Sequence, residues 1–509
     1  MRAKTLWIVF FAASWVIARN TWGASGAAAL SDGSKNVLSG LKAPVSPEAP
    51  WQQPDMRAFA RVLKDQEPAE IDGQKEYELT ELIDIAERSN PETKAAWEEA
   101  RQAASVVGLT RSEYFPILAL KASGDWGKEP VPVPLAGQTG FFDAEVQDIQ
   151  PVAVLEWTLL DFGRRKAAVG VAKEQLLAAN LGFNARHQEI VFKVQSAFYD
   201  LSQAHGRIAV AQSALDSALK VQAAAQERFR LGLATTPELA HAQQQAVQAA
   251  FDLEEVQVDE RDAQVNLDES IGILPTTPLH VADFSKLSLP ANLESTVESF
   301  IDRTLEQRPD LLAKVAILRQ KEQAVNRARA DYYPTLSLQG AAGGVSERVQ
   351  ASVDGTSLPW ASTTEPTWDV GVALTWRLSD GGTRKHRLEI ARSEQAAARH
   401  NLADAKNAAI SQVWQYYSDT HLAIHRLDVA LALVAASEKS YQQTFEAYQN
   451  GLSTLVELLA ARSELSRARY DQIDTRATLL KSVAALAFAS GDLGSQMREE
   501  KPATISPHP

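Results

Sequence analysis

The chain repeats itself once, and that duplication bounds what it can fold into. Asn90-Pro91 returns as Arg308-Pro309, and Glu113-Tyr114-Phe115-Pro116 returns as Asp331-Tyr332-Tyr333-Pro334, both at an offset of 218. Leu155-Glu156-Trp157 returns as Leu374-Thr375-Trp376, Gly232-Leu233-Ala234-Thr235 as Gly451-Leu452-Ser453-Thr454, and Gly272 as Gly491, at an offset of 219. Asp161-Phe162-Gly163-Arg164-Arg165-Lys166 likewise returns as Asp380-Gly381-Gly382-Thr383-Arg384-Lys385. Residues 77–275 and 293–492 therefore read as two copies of one unit, joined by a linker at 276–292. Solenoid repeats are roughly 20–45 residues long, so this period means two equivalent halves rather than a stack of small units.

Each half reads as a helix, a β-hairpin and a very long helical hairpin. From Thr383 to Asn450 there is neither glycine nor proline over 68 residues, and good helix formers dominate. Such a helix would be about 100 Å long, far beyond a globular helix of roughly 8–20 residues. Its apolar residues run in heptads: Val413, Thr420, Leu427, Val434, Tyr441, Tyr448 in one series and Tyr417, Ile424, Leu431, Glu438, Phe445, Leu452 in another. The first half follows more weakly through Val194, Leu201, Ile208, Leu215 and Phe229. A period of seven means helices coiling on neighbours. Both long helices stop at a glycine, Gly232 and Gly451, which fits the C′ position. Thr235-x-x-Glu238 and Thr454-x-x-Glu457 then match the capping box, so the chain makes a tight U-turn and returns to Gly272 and Gly491. At the other end, Asp161 and Asp380 are expected at the N-cap.

The strand pairs are two-faced. Leu118 and Leu120 alternate with Ala119 and Lys121, and Leu336 and Leu338 with Ser337 and Gln339. Val370, Val372, Leu374 and Trp376 oppose Asp369, Gly371, Ala373 and Thr375; Leu155 and Trp157 oppose Glu156 and Thr158. One apolar and one polar face is the pattern of a transmembrane barrel, with Trp157 and Trp376 where an aromatic belt belongs. The stretches Asp125–Asp148 and Val345–Thr367, rich in Gly, Pro, Ser and Thr, are expected as loops. Two hairpins give only four strands, which cannot close, and a bilayer-spanning sheet must close. Membrane insertion therefore demands an oligomer, and three copies would supply twelve strands and twelve long helical segments.

The termini and composition agree. Arg2 and Lys4 precede the apolar run from Thr5 to Ala18, and small residues follow, as in a secretory signal peptide expected over residues 1–26. Residues 27–76 follow as an extended segment, and 493–509 are expected as a disordered tail. The formal net charge of -13 argues against a nucleic-acid binder, which needs a basic face. The chain has no cysteine, which excludes disulfides, thiolate metal sites and cysteine lipidation. Three methionines are too few for a thioether metal relay.

The duplicated Tyr-Phe/Tyr-Pro before each hairpin, the Asp-x-Gly-x-Arg after it, and the Gly-Leu-Ala/Ser-Thr turns, in this order, resemble the TolC-type outer membrane efflux family over residues 77–492. The resemblance implies a homotrimer: a twelve-stranded barrel in outer membrane lipid, a periplasmic α-helical barrel below it, and a mixed equatorial region. It implies a passive exit duct with no cofactor, joined through a periplasmic adaptor to an inner-membrane pump of RND, ABC or MFS type. The U-turns would be the tips that meet the adaptor: Gly232, Leu233 and Thr235, and Gly451, Leu452 and Thr454. Tyr448 and Glu457 match positions that narrow the family's periplasmic entrance, and Glu238 is the first-half counterpart of Glu457. Two positions depart: a family arginine is Ser453 here, and a second acidic position is Ala460.

Blander readings compete at each site. Glu238 and Glu457 also serve as capping-box carboxylates, and Tyr448 and Phe229 as heptad packing. His421 and His425 lie four apart on one helical face but lack a third ligand, so a solvated surface is expected. Gly340-Ala341-Ala342-Gly343-Gly344 lacks the Lys-Ser/Thr of a phosphate loop. No nucleophile, base and orienter converge, so no enzyme is expected. Small-molecule efflux and polypeptide secretion remain alternatives within this fold. A periplasmic adaptor or a coiled-coil scaffold is the alternative of another class, and neither explains two hairpins with Trp-ended alternating strands.

Overall fold

The structure is a computed structural model; it describes residues 71–493 except 136–137, 278, 283–288, 290–292, 294–295 and 354–355, with backbone only for the rest of 132–142 and for 353. The described residues belong to one compact unit that begins at Ile71. The expected signal peptide, most of the N-terminal segment, and the tail beyond Leu493 lie outside the described residues.

The element order is itself duplicated. The first copy holds α1 (Leu79–Ser89), α2 (Pro91–Ser112), β2 (Ile117–Leu135), β3 (Gln138–Leu160), α3 (Arg164–Arg230) and α4 (Thr236–Ile271), preceded by the short β1 (Glu76–Tyr77). The second holds α5 (Val297–Gln307), α6 (Pro309–Ala330), β5 (Thr335–Val353), β7 (Ala361–Thr375), α7 (Thr383–Gln449) and α8 (Leu455–Ser490). The short β4 (His280–Val281) lies between the copies, and β6 (Thr356–Ser357) lies between β5 and β7. The linker region is not wholly irregular: β4 pairs in parallel with β1.

The two long helices are each 67 residues and their return helices 36. The first heptad series of α7 is the packed seam: Val413, Thr420, Leu427 and Tyr448 are buried, and Val434 and Tyr441 half-buried. The second series is only partly covered, with Ile424 buried but Leu431 and Leu452 47% and 83% exposed. One seam is thus used inside the protomer and the other is left open along much of its length. The buried residues of α3 are largely alanine and valine, which lets α4, α6 and α8 pack closely on it. Each returning helix ends against the elbow of the short helices. A Cβ on Gly272 would sit 3.0 Å from Asn90 Cα, and one on Gly491 3.2 Å from Arg308 Cα.

The strands are longer than expected from composition. The stretches expected as loops are mostly paired: β2 and β3 stay in register from Ile117↔Glu156 to Leu135↔Gln138, and β5 and β7 from Thr335↔Thr375 to Val349↔Ala361. Pro130, Pro132 and Pro134 suggested a loop, yet they stand on the end of β2 past Gly127, which pairs with β3 alone and lies beyond the last β5–β7 row at Val349↔Ala361, so a missing N–H costs no ladder bond on the free side. The sheet runs β2–β3–β5–β7, all antiparallel, so the β3–β5 pair joins the two halves.

Candidate docking tips and membrane-facing sheet

Each U-turn is built by two local motifs in series. Gly232 and Gly451 take positive φ of 72° and 75°, a conformation that glycine adopts without a Cβ clash. The Leu233 N–H donates to Arg228 O and the Gly232 N–H to Phe229 O; Leu452 and Gly451 do the same to Ala447 O and Tyr448 O. This is the Schellman pattern, which satisfies the last carbonyls of both long helices. Three residues on, the Thr235 N–H donates to Glu238 Oε2 at 2.8 Å and the Thr454 N–H to Glu457 Oε2 at 2.9 Å, with the threonine hydroxyls accepting in return. Leu233 and Leu452 project from the turns, 63% and 83% exposed.

The two acidic residues differ in their surroundings. Glu457 also accepts from the Ser453 hydroxyl at 2.6 Å. That hydroxyl and the Thr454 backbone hold its carboxyl below the usual glutamate range. Tyr448, by contrast, is buried in a cluster with Val221, Ala225, Ala242, Leu455 and Leu458, which draws on both hairpins. Burial pushes its phenol above the ordinary tyrosine value. Arg228 lies over the Tyr448 ring at 4.8 Å, a contact between halves that the repeat pattern did not signal because position 447 in the second copy is alanine.

In the sheet, residues directly opposite one another share a face. One face carries, row by row, Trp157–Leu338–Val372, Leu118–Leu155–Gly340–Val370 and Leu120–Ala153–Ala342–Trp368, followed in a fourth row by the pairs Ala122–Pro151 and Gly344–Pro366. A fifth row, Gly124–Ile149–Ser346–Thr364, is mixed, and the sixth, Trp126–Gln147–Arg348–Ser362, brings the first charge on this face. The opposite face carries Glu156, Asp369, Lys121, Glu365 and Asp148. Leu120, Trp126 and Trp368 are 81%, 76% and 79% exposed, an uncovered apolar surface of the kind that marks a protein or membrane interface. Among the described residues no helix is long and apolar enough to cross a membrane.

The junction between sheet and long helix is a duplicated knot that sequence reading only half found. Asp161 and Asp380 do not occupy the N-cap; Gly163 and Gly382 do, at φ of 93° and 88°. The aspartates reach forward from two residues earlier. Asp161 accepts from the Arg165 N–H at 2.9 Å and Asp380 from the Arg384 N–H at 3.1 Å. The same carboxylates pair with the side chains of Arg165 and Arg384, each at 2.8 Å. Those guanidiniums lie over Tyr114 and Tyr332 at 4.8 and 5.3 Å. Trp157 and Trp376 close the knot by donating Nε1–H to Tyr114 O and Tyr332 O at 2.9 and 3.2 Å. The repeated Tyr, Trp, Asp and Arg thus converge on one spot in each half. The signal was present in their recurrence in both copies, but their meeting requires the hairpin to bring them together.

His421 and His425 are exposed with ring centroids 4.8 Å apart. Among the described residues no group of three or more His, Cys, Asp or Glu side chains is placed to hold a metal.

Comparison with known proteins identifies the fold and the family. The sequence profile of the outer membrane efflux protein family matches residues 82–273 and 300–492, one segment in each copy of the repeat. The chain is 26% identical over 428 residues to Protein CyaE of Bordetella pertussis, covering 84% of this chain and 86% of that one. It is 24% identical over 441 residues to the alkaline protease secretion protein AprF of Pseudomonas aeruginosa, covering 82% and 88%. The solved outer-membrane channel OprN superposes with a TM-score of 0.69 at 21% identity, over 84% of this chain and 97% of that chain. The two-faced partial sheet, the long helical hairpins and the match across both halves place this chain in the outer membrane efflux protein family, the TolC-type passive channels of the outer membrane with a large periplasmic helical region.

Proposed function

We propose that three copies of this chain close into one duct, which serves as the exit of a tripartite efflux system for small molecules. The carrying observation is the open sheet: β2 and β7 are long edges, each paired on one side only, beneath an apolar outer face. Unpaired edges in lipid cost several kcal/mol per group, and pairing β7 of one copy with β2 of the next removes them. From the Trp157 row to the Ile149 row is eight residues, about 27 Å along a strand and about 20 Å at a tilt of about 40°. Trp157 and Trp376 at one margin then act as the aromatic girdle of the membrane interface.

The tips Gly232, Leu233 and Thr235 and Gly451, Leu452 and Thr454 are the surface offered to a periplasmic adaptor, with an inner-membrane pump of RND, ABC or MFS type beyond it. Their exposed leucines, on turns already held by the Schellman and capping-box hydrogen bonds, suit a docking surface. Glu457, Glu238 and Tyr448 belong to the periplasmic entrance, with Glu457 facing solvent and Tyr448 setting the packing behind it. The efflux description of the matched family supports small molecules as cargo. The likeness to AprF, named for alkaline protease secretion, favours export of a polypeptide as the second reading. A photo-crosslinking residue at Ser453 in living cells tests the docking role. Capture of an adaptor supports it, and the pump that copurifies separates the two cargoes. Absence of capture, with the protein present in the outer membrane, overturns the docking reading.

A further inference from the structure

We infer that Arg228 is a positioning residue that holds the second docking tip against the first, so that the two tips of a protomer present one rigid surface. The inference rests on the docking role proposed above. Arg228 stands on α3 one turn before Gly232. Its Nη1 donates to Tyr448 O of the second hairpin at 2.6 Å, and its Nη2 to Leu233 O of its own turn at 3.4 Å. The guanidinium lies over the Tyr448 ring at 4.8 Å. Its Nε is buried without a partner, so the group is inserted between the hairpins rather than draped over them.

Three physical reasons make this contact a clamp. Tyr448 O is among the last carbonyls of α7, which carry the negative end of that helix. Leu233 O lies just past the end of α3, so one cation faces two helix C-termini at once. The planar group also stacks on an aromatic face, which a lysine cannot reproduce. The clamp runs one way. The position equivalent to Arg228 is Ala447, and Ser453 in the second tip is turned onto Glu457 instead. Farther along the helices the hairpins are also laced, by Arg462 to Gln245 at 2.8 Å and Arg469 to Ser213 at 2.7 Å. Near the tips, Arg228 carries the polar link.

The absence of native cysteine allows a direct test. Spin labels at Leu233→Cys and Leu452→Cys, in trimers diluted with unlabelled chains, report the distance between the two tips of one protomer. The distribution is expected to be narrow in the parent protein, broad and longer in Arg228→Gln, and intermediate in Arg228→Lys. Arg228→Met keeps the packing of the stem and is expected to match Arg228→Gln. Superimposable distributions for the parent, Arg228→Gln and Arg228→Met would overturn the clamp. In parallel, adaptor capture from Ser453 is expected to fall several-fold in Arg228→Gln and to recover in part in Arg228→Lys. Unchanged capture would overturn the positioning role. If the parent protein captures no adaptor, the docking reading fails, while the distance measurement still decides the clamp.

Discussion

Single residues fix the geometry of both ends of the long helices. At the sheet end, the Asp161–Arg165 pair has side chains only 8% and 7% exposed, and Arg165 also donates to the carbonyls of Glu113 and Leu159. Removing one partner of such a buried pair leaves an uncompensated charge, at a cost of about 3–5 kcal/mol. Arg165→Ala is therefore expected to lower the melting temperature of the purified protein clearly, and more than Arg101→Ala, whose partner Glu98 is on the surface. Equal melting for the two variants would contradict the knot. At the tip, Thr454→Ala removes one cap acceptor and is expected to cost about 1 kcal/mol of local stability. Hydrogen exchange at the Glu457 amide, the donor to that hydroxyl, reads the loss. The pH dependence has a defined sign. Because the folded Glu457 carboxyl titrates below its unfolded value, its contribution is present above the ordinary glutamate range and is lost as pH falls through the depressed value. Protection of the Thr454 amide, which donates to that carboxylate, should fade on acidification and stay constant from pH 6 to pH 8, above the ordinary glutamate value of about 4.3.

Elements are joined by close approaches that the duplicated pattern does not announce. The β3–β5 pair is the seam between the two halves of the sheet, and Gly343 lies opposite Val152 in it. A Cβ on Gly343 would collide with the Pro151 carbonyl and sit 2.8 Å from Val152 Cα. These are backbone atoms in a ladder, so they cannot give way as a flexible side chain can. Gly343→Val is expected to abolish the folded sheet, read as loss of the protein from the outer membrane fraction. Gly371→Val, where a Cβ meets nothing within 4 Å, is the matched control and is expected to assemble. The sheet–helix turn shows the same economy across copies. The first copy holds Phe162 at a φ of 50° where the second has Gly381 at 64°. That strained conformation is offset by stacking of Phe162 on Tyr333 at 5.4 Å, a contact from one copy of the repeat to the other.

At the scale of the whole molecule, the protomer leaves two kinds of surface unpartnered. The sheet has two free edges, and α7 leaves Trp414, Leu422, Val429 and Leu433 exposed along its length. In the trimer proposed above, pairing β7 with β2 of the next copy would remove the free edges. Cysteine pairs placed along facing positions of β2 and β7 are expected to give covalent dimers and trimers on non-reducing gels, free of background because the chain has no cysteine. A ladder that stops at the dimer, or no ladder for any register tried, would exclude ring closure through these edges.

Sequence alone determined the duplication, the hairpin followed by a long helical hairpin in each half, the U-turn glycines and capping boxes, and the division of each strand into an apolar and a polar face; the single helix expected before each hairpin is two, broken at Pro91 and Pro309. These are local properties: helix length follows from a run without glycine or proline, turn position from a positive φ, and strand faces from a period of two. The composition of residues 125–148 misled, because prolines that break a central strand are harmless where a strand is paired on one side only, and only the tertiary structure shows that this end of β2 runs past the last β5–β7 row. The same holds for Asp161 and Asp380. Their spacing suggested an N-cap, whereas the folded chain uses glycine there and spends the carboxylates on Arg165 and Arg384. Arg228 was invisible for a further reason. Its partners are Tyr448, 220 residues away, and a backbone carbonyl, which carries no sequence signal. Contacts between the two copies depend on how the hairpins are set side by side, and that is fixed by packing across the molecule rather than by the pattern within either copy.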